Sequence, residues 1–136
     1  EFLKILGKEK SQISKTILIG HSLGAQIALH SLASLDDGLS VRGVLCVAGW
    51  LKLDHTPDTL SDWMANKLDG KKIKSHADKI VNVISTNDPN QLDTVSVTEA
   101  WRDGDFGADV VLSSKPGHVS DAEEPDVLDT LLKYFA

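Results

Sequence analysis

Residues 16–24 read Thr16-Ile17-Leu18-Ile19-Gly20-His21-Ser22-Leu23-Gly24, and everything else in the chain is best understood from this stretch. A short apolar run ends at Gly20. After the turn, Ile27, Leu29, Leu32 and Leu35 recur at mixed three- and four-residue spacing, which predicts a helix from Leu23 to Leu35 closed by Asp36-Asp37-Gly38. The core of the stretch is G-x-S-x-G set between a strand and a helix, the context in which this pattern carries chemical meaning. The turn must place Ser22 in a strained backbone conformation, with its hydroxyl above the sheet. Gly20 and Gly24 are both expected to be needed to avoid collision between strand and helix, and Ala25 suits tight helix packing. The helix also directs its first amides and the positive end of its dipole at Ser22.

Working outward, further apolar runs of strand length occur at Val41 to Ala48, Ile80 to Ile84 and Ala108 to Leu112. Val95 to Arg102 reads as a helix. Pro125 to Phe135 reads as a closing helix, with Pro125 suited to the first helical position. Phe2, Leu3, Ile5 and Leu6 look like the end of an amphipathic helix closed by Gly7. Apolar strands separated by helices predict an α/β fold with a mainly parallel sheet covered on both faces, a three-layer sandwich. Residues 1–136 read as a single domain. The polar connection at 50–78 is the irregular part, and a detour of that length is expected to line a functional pocket.

Composition narrows the function classes. The chain has 136 residues, 14 Lys and Arg against 20 Asp and Glu, and a net charge of −6. An acidic chain without a concentrated cationic face is no nucleic-acid binder. Lys71, Lys72 and Lys74 are expected to form a solvated loop edge. No run approaches the roughly 20 apolar residues of a membrane span. The single cysteine, Cys46, lies within Val44-Leu45-Cys46-Val47 and reads as a core residue, which favours a cytoplasmic location. The chain begins at Glu1 rather than Met and is expected to be part of a longer product.

A serine hydroxyl needs a base, and the base needs an orienting acid. In this architecture the chain order is Ser, acid, His. His118, in Pro116-Gly117-His118, follows the last strand at the carboxyl edge where Ser22 lies and is the candidate base. Asp88, in Ser85-Thr86-Asn87-Asp88-Pro89, follows the third strand at the same edge and is the candidate acid. Its rival Asp93 reads as a helix cap. The Leu23 N–H is the candidate oxyanion donor. A second donor is not visible. His21, beside the serine, and Trp50, at the end of the second strand, are the candidate substrate contacts. Trp63 and Trp101 could also line an acyl pocket, although packing is the more ordinary role for each. The histidines have no metal-ligand spacing, so no metal is expected.

Gly20-His21-Ser22-Leu23-Gly24-Ala25, Ser85-Thr86-Asn87-Asp88-Pro89 and Gly117-His118-Val119 together resemble the small serine hydrolases around retinoblastoma-binding protein 9, within the α/β-hydrolase superfamily. The resemblance covers nearly the whole chain. It implies cofactor-free hydrolysis of small carboxylic esters or related acyl groups, carried by Ser22, Asp88 and His118. Two departures stand out. Asn87 and Gln91-Leu92 replace the Asp and Pro usual in that loop, and the His-Gly loop with which the family begins has no counterpart. The chain is therefore expected to be an N-terminally incomplete α/β-hydrolase domain and poorly stable by itself. Acyl transfer to an acceptor other than water would use the same residues. The competing function class is an inactive hydrolase-fold fragment that binds a protein partner.

Overall fold

The computed structural model describes residues 10–136 except 54 and 92, and the side chains of residues 10, 11 and 63 are likewise outside the description. The helix expected over Phe2 to Leu6 lies outside the described residues. In chain order the elements are α1 (Lys10–Ile13), β1 (Ile17–His21), α2 (Leu23–Ala33), β2 (Gly43–Val47), a 3-10 turn (Asp58–Leu60), α3 (Ser61–Ala65), α4 (Gly70–Ser75), β3 (Ile80–Ile84), α5 (Thr94–Arg102), β4 (Asp109–Leu112) and α6 (Pro125–Phe135).

The strands form one parallel sheet in the order β1-β2-β3-β4, with Leu18 opposite Val44, Leu45 opposite Val81 and Val83 opposite Val111. Every residue of β2 and β3 is buried, because helices cover both faces of the two central strands. One apolar cluster joins Leu18, Val44 and Ile84 to Leu29 and Leu32 of α2 and to Trp101 of α5. A second, on the opposite face, joins Leu45, Val81 and Val83 to Val119 and to Phe135 of α6. The three-layer α/β sandwich follows. Truncating a fully buried leucine such as Leu29 should cost about 2–5 kcal/mol. Phe135 packs so closely over Gly43 that a Cβ there would overlap the ring.

β1 is an edge. Among the described residues no strand pairs its outer side, and Ile19 is 57% exposed. Leu128 and Leu132 of α6 are also exposed.

The connection at 50–78 is more regular than its sequence implies. It holds the 3-10 turn, α3 and α4, pieces too short for a hydrophobic period to register. The lysines Lys71, Lys72 and Lys74 lie exposed on α4, not on a loop edge. Asp69 starts that helix by accepting a hydrogen bond from the Lys72 N–H. No helix among the described residues is long and apolar enough to cross a membrane.

Candidate active site

β1 ends at His21 and α2 begins at Leu23, so Ser22 makes the whole turn. Its φ is 52° and its ψ is −117°, a conformation that costs a non-glycine residue roughly 1–3 kcal/mol. Two hydrogen bonds hold it there. The Ser22 N–H donates to the Val47 carbonyl at 2.8 Å, and the Ala25 N–H donates to the Ser22 carbonyl at 3.0 Å. A Cβ at Gly20 would sit 2.5 Å from the Gly24 oxygen and 2.7 Å from the Ala25 Cα, so Gly20 is required by strand–helix contact. Gly24 is not required in that way, since nothing described lies within 4 Å of its Cβ position. The expectation that both glycines relieve a clash is corrected on this point.

Ser22 is not the sole strained residue. Ala48 (φ 49°) and Asn87 (φ 58°) share its positive φ, and the three follow the carboxyl ends of β1, β2 and β3. Strain is concentrated along one edge of the sheet. The loops after β3 and β4 are joined at that edge. The Gly117 N–H donates to the Thr86 carbonyl at 2.8 Å, and the Ser85 hydroxyl donates to the Gly117 carbonyl. Gly117 has φ 91°, which explains glycine at that position.

The junction brings His118 to Asp88. Nδ1 of His118 lies 2.8 Å from Oδ2 of Asp88, whose side chain is 3% exposed. The other carboxylate oxygen accepts from the Asn90 N–H at 2.9 Å. The rival Asp93 caps α5, accepting from the Val95 and Ser96 N–H groups. The Ser96 hydroxyl, and then its amide, hold the Asp93 carboxyl below the usual carboxylate range. Among the described residues no hydrogen bond joins Ser22 to His118.

Ser22 opens onto a cavity of about 380 Å³ whose walls include Leu23, Trp50, Leu53, Leu60 and Pro89. Trp50 is therefore beside the serine. Its turn is held by Asn82, whose amide bonds both polar groups of the Gly49 backbone, and by the buried Gln26, whose Nε2 donates to the Trp50 carbonyl. Sequence reasoning passed over both residues. Asn82 had left a signal, as an amide in the middle of the apolar run Ile80 to Ile84. Trp101 is fully buried against Phe106, with ring centres 5.6 Å apart, and belongs to the core instead of the pocket. The Trp63 side chain lies outside the described residues.

His21 does not line the Ser22 cavity. It borders a separate groove of about 480 Å³ between the sheet and α6, with Val47, Val119 and Leu131. Its Nε2 donates to the Val119 carbonyl at 2.8 Å, and its ring meets the His118 ring edge-on with centres 5.1 Å apart. The correction has a simple cause. Consecutive strand residues point to opposite faces, and His21 is still within β1. Cys46 is fully buried, and desolvation pushes its thiol up to about 12, as expected of a core residue.

Comparison with known proteins agrees with this geometry at the level of family and fold. No curated protein matches the chain. The crystal structure of the ydeN gene product from B. subtilis superposes with a TM-score of 0.74 at 24% identity, over 98% of this chain and 73% of that one. A family model described as serine hydrolase matches residues 2–135. The chain belongs to the serine hydrolase family.

Proposed function

We propose that the chain cleaves small carboxylic esters or related acyl compounds through an acyl-enzyme on Ser22, with His118 as base and Asp88 as its orienting acid. The observation that carries this reading is the 2.8 Å contact between His118 and Asp88, at the same sheet edge as the strained Ser22 turn. With Nδ1 engaged by the carboxylate, Nε2 is the nitrogen free to take the serine proton. The Ser22 oxygen then bonds to the acyl carbon. The resulting oxyanion accepts from the Leu23 N–H, which, as the first amide of α2, has no intrahelical acceptor. Collapse expels the alcohol with the proton from His118, and water repeats the sequence on the ester. Serine–histidine hydrogen bonds of this kind are often long until substrate binds.

The wall formed by Trp50, Leu53 and Leu60 supports an apolar acyl group of modest size, and the connection at 50–78 would set its shape. Reaction by this route needs no metal or organic cofactor. Within the serine hydrolases, the motifs around Ser22, Asp88 and His118 favour the group that resembles retinoblastoma-binding protein 9. The lone buried Cys46 favours a cytoplasmic location.

The test is covalent labelling with a fluorophosphonate, read by intact mass, on the native chain and on Ser22→Ala. A single adduct that disappears in the variant is expected. A folded native chain that takes no adduct would overturn the reading in favour of a non-catalytic interaction module.

A further inference from the structure

We propose that Gln91 is a positioning residue that fixes the Asp88 carboxylate for His118, an inference that rests on the reading of Asp88 as the orienting acid. Gln91 is 8% exposed. Its Nε2 donates to Oδ2 of Asp88 at 3.1 Å and to the Ala48 carbonyl at 3.2 Å. An amide nitrogen has two protons, and these two acceptors take both. The same carboxylate oxygen receives His118 Nδ1, so Gln91 and His118 bind one atom from two directions. The Asn90 N–H holds the other oxygen. Three donors thus define the plane of the carboxylate.

The far end of the brace is a rigid point. Ala48 follows β2 at φ 49°, and its N–H is tied to the Val83 carbonyl at 2.8 Å. The Gln91 backbone adds two further ties. Its N–H donates to the Asp88 carbonyl at 3.2 Å, and it forms an antiparallel bridge with Leu53, a wall of the Ser22 cavity. Gln91 therefore couples the acid to the end of β2 and to the pocket.

The choice of side chain follows from the task. A lysine or arginine here would compete with the imidazolium for the charge on Asp88. A hydroxyl has one proton and could not hold both acceptors. A neutral amide orients the carboxylate and leaves its charge to stabilise His118. The titratable side chains that the structure sets against the His118 ring are Asp88 and His21.

Two variants of nearly the same shape separate orientation from packing. Gln91→Met removes both donors. Gln91→Glu also removes them and sets a second carboxylate against Asp88. Hydrolysis of p-nitrophenyl acetate, thermal melting and the far-downfield proton NMR signal of the His118 Nδ1–H are measured on both and on the native chain. For the Met variant, kcat should fall roughly tenfold or more with KM within about twofold, the pattern of a displaced catalytic group. Its Nδ1–H signal should move or broaden, and the Glu variant should lose more activity than the Met variant. Native kcat and an unmoved signal in a folded Met variant would overturn the proposal. Should the Met variant fail to fold, native activity in the Glu variant would do the same. The NMR signal does not require turnover. A native chain that shows the signal but labels no serine would sink the catalytic reading, while the shift between variants would still decide the role of Gln91.

Discussion

Asn82 and Gly49 exchange two hydrogen bonds across the buried centre of the sheet. The Gly49 N–H donates to Oδ1 of Asn82 at 3.1 Å, and Nδ2 of Asn82 donates to the Gly49 carbonyl at 2.9 Å. The side chain does for Gly49 what a neighbouring strand does for a paired residue. It turns the chain after β2 so that Trp50 reaches the Ser22 cavity, and close contacts with Cys46 and Asn82 leave no room for a Cβ at position 49.

Asn82→Ala should therefore cost stability and pocket shape together. Two backbone groups of Gly49 would be left buried without partners, a loss of roughly 2–4 kcal/mol. Urea denaturation would measure it. Asn82→Asp keeps the acceptor but loses the donor and buries a charge, and should be at least as damaging. An Ala variant as stable as the native chain would show that water replaces the amide.

Gly20 and Gly24 should respond differently to alanine. Gly20→Ala drives a Cβ into the backbone of α2 and should destabilise by several kcal/mol or prevent folding. Gly24→Ala meets open space in the first turn of α2 and should be neutral or stabilising by up to about 1 kcal/mol. Melting temperatures of the two variants give the comparison, and equal losses would contradict it.

Asp126 ties the loop after β4 to the start of α6. Its Oδ2 accepts from the Ser114 N–H at 2.7 Å, the Ser113 hydroxyl at 2.8 Å and the Ser114 hydroxyl at 2.9 Å. The Ser114 amide, followed by the two hydroxyls, holds this carboxyl below its ordinary value. A depressed folded value means that the stabilisation is fully present above the unfolded value of about 3.9 and is lost as pH falls through the folded value. Asp126→Asn should accordingly lower the melting temperature at pH 7, and the gap from the native chain should close in acid as pH falls through the depressed folded value. A gap independent of pH would assign the effect to shape instead of charge.

The outer side of β1 predicts self-association of the 136-residue chain. Among the described residues its outer edge has no strand partner, and with the exposed Ile19 it offers backbone groups and apolar surface to a second strand. Ile19→Lys should reduce association, because an edge charge opposes strand pairing. Sedimentation velocity over a range of concentrations would report it, and an unchanged distribution would place the contact elsewhere.

Local signals in the sequence were strong where one feature dominates. β3 (Ile80–Ile84) and α6 (Pro125–Phe135) occupy the spans their apolar patterns define. The Gly20-to-Gly24 pattern locates the turn because strand, helix and close contact all meet at Ser22. Asp88 and His118 could be nominated from their place after strands, but their 2.8 Å contact depends on Gly117 and Thr86 joining two loops far apart in the chain. Gln91 was not legible for the same reason, since its partners lie three and 43 residues away and no local pattern marks them. α3 and α4 escaped notice because five or six residues are too few to display a helical period.

On the proposed reading, the seam between β2 and β3 separates the nucleophile from its base and acid. Ser22 and its turn belong to the half built from β1, α2 and β2, whereas Asp88 and His118 belong to the half built from β3, α5, β4 and α6. Their hydrogen bond is made wholly within the second half. A cut beside the exposed Asp58 would then divide the proposed nucleophile from its proposed base and acid. If those roles hold, serine labelling of such a split molecule would report reassociation of the fragments, making the fold its own two-part sensor.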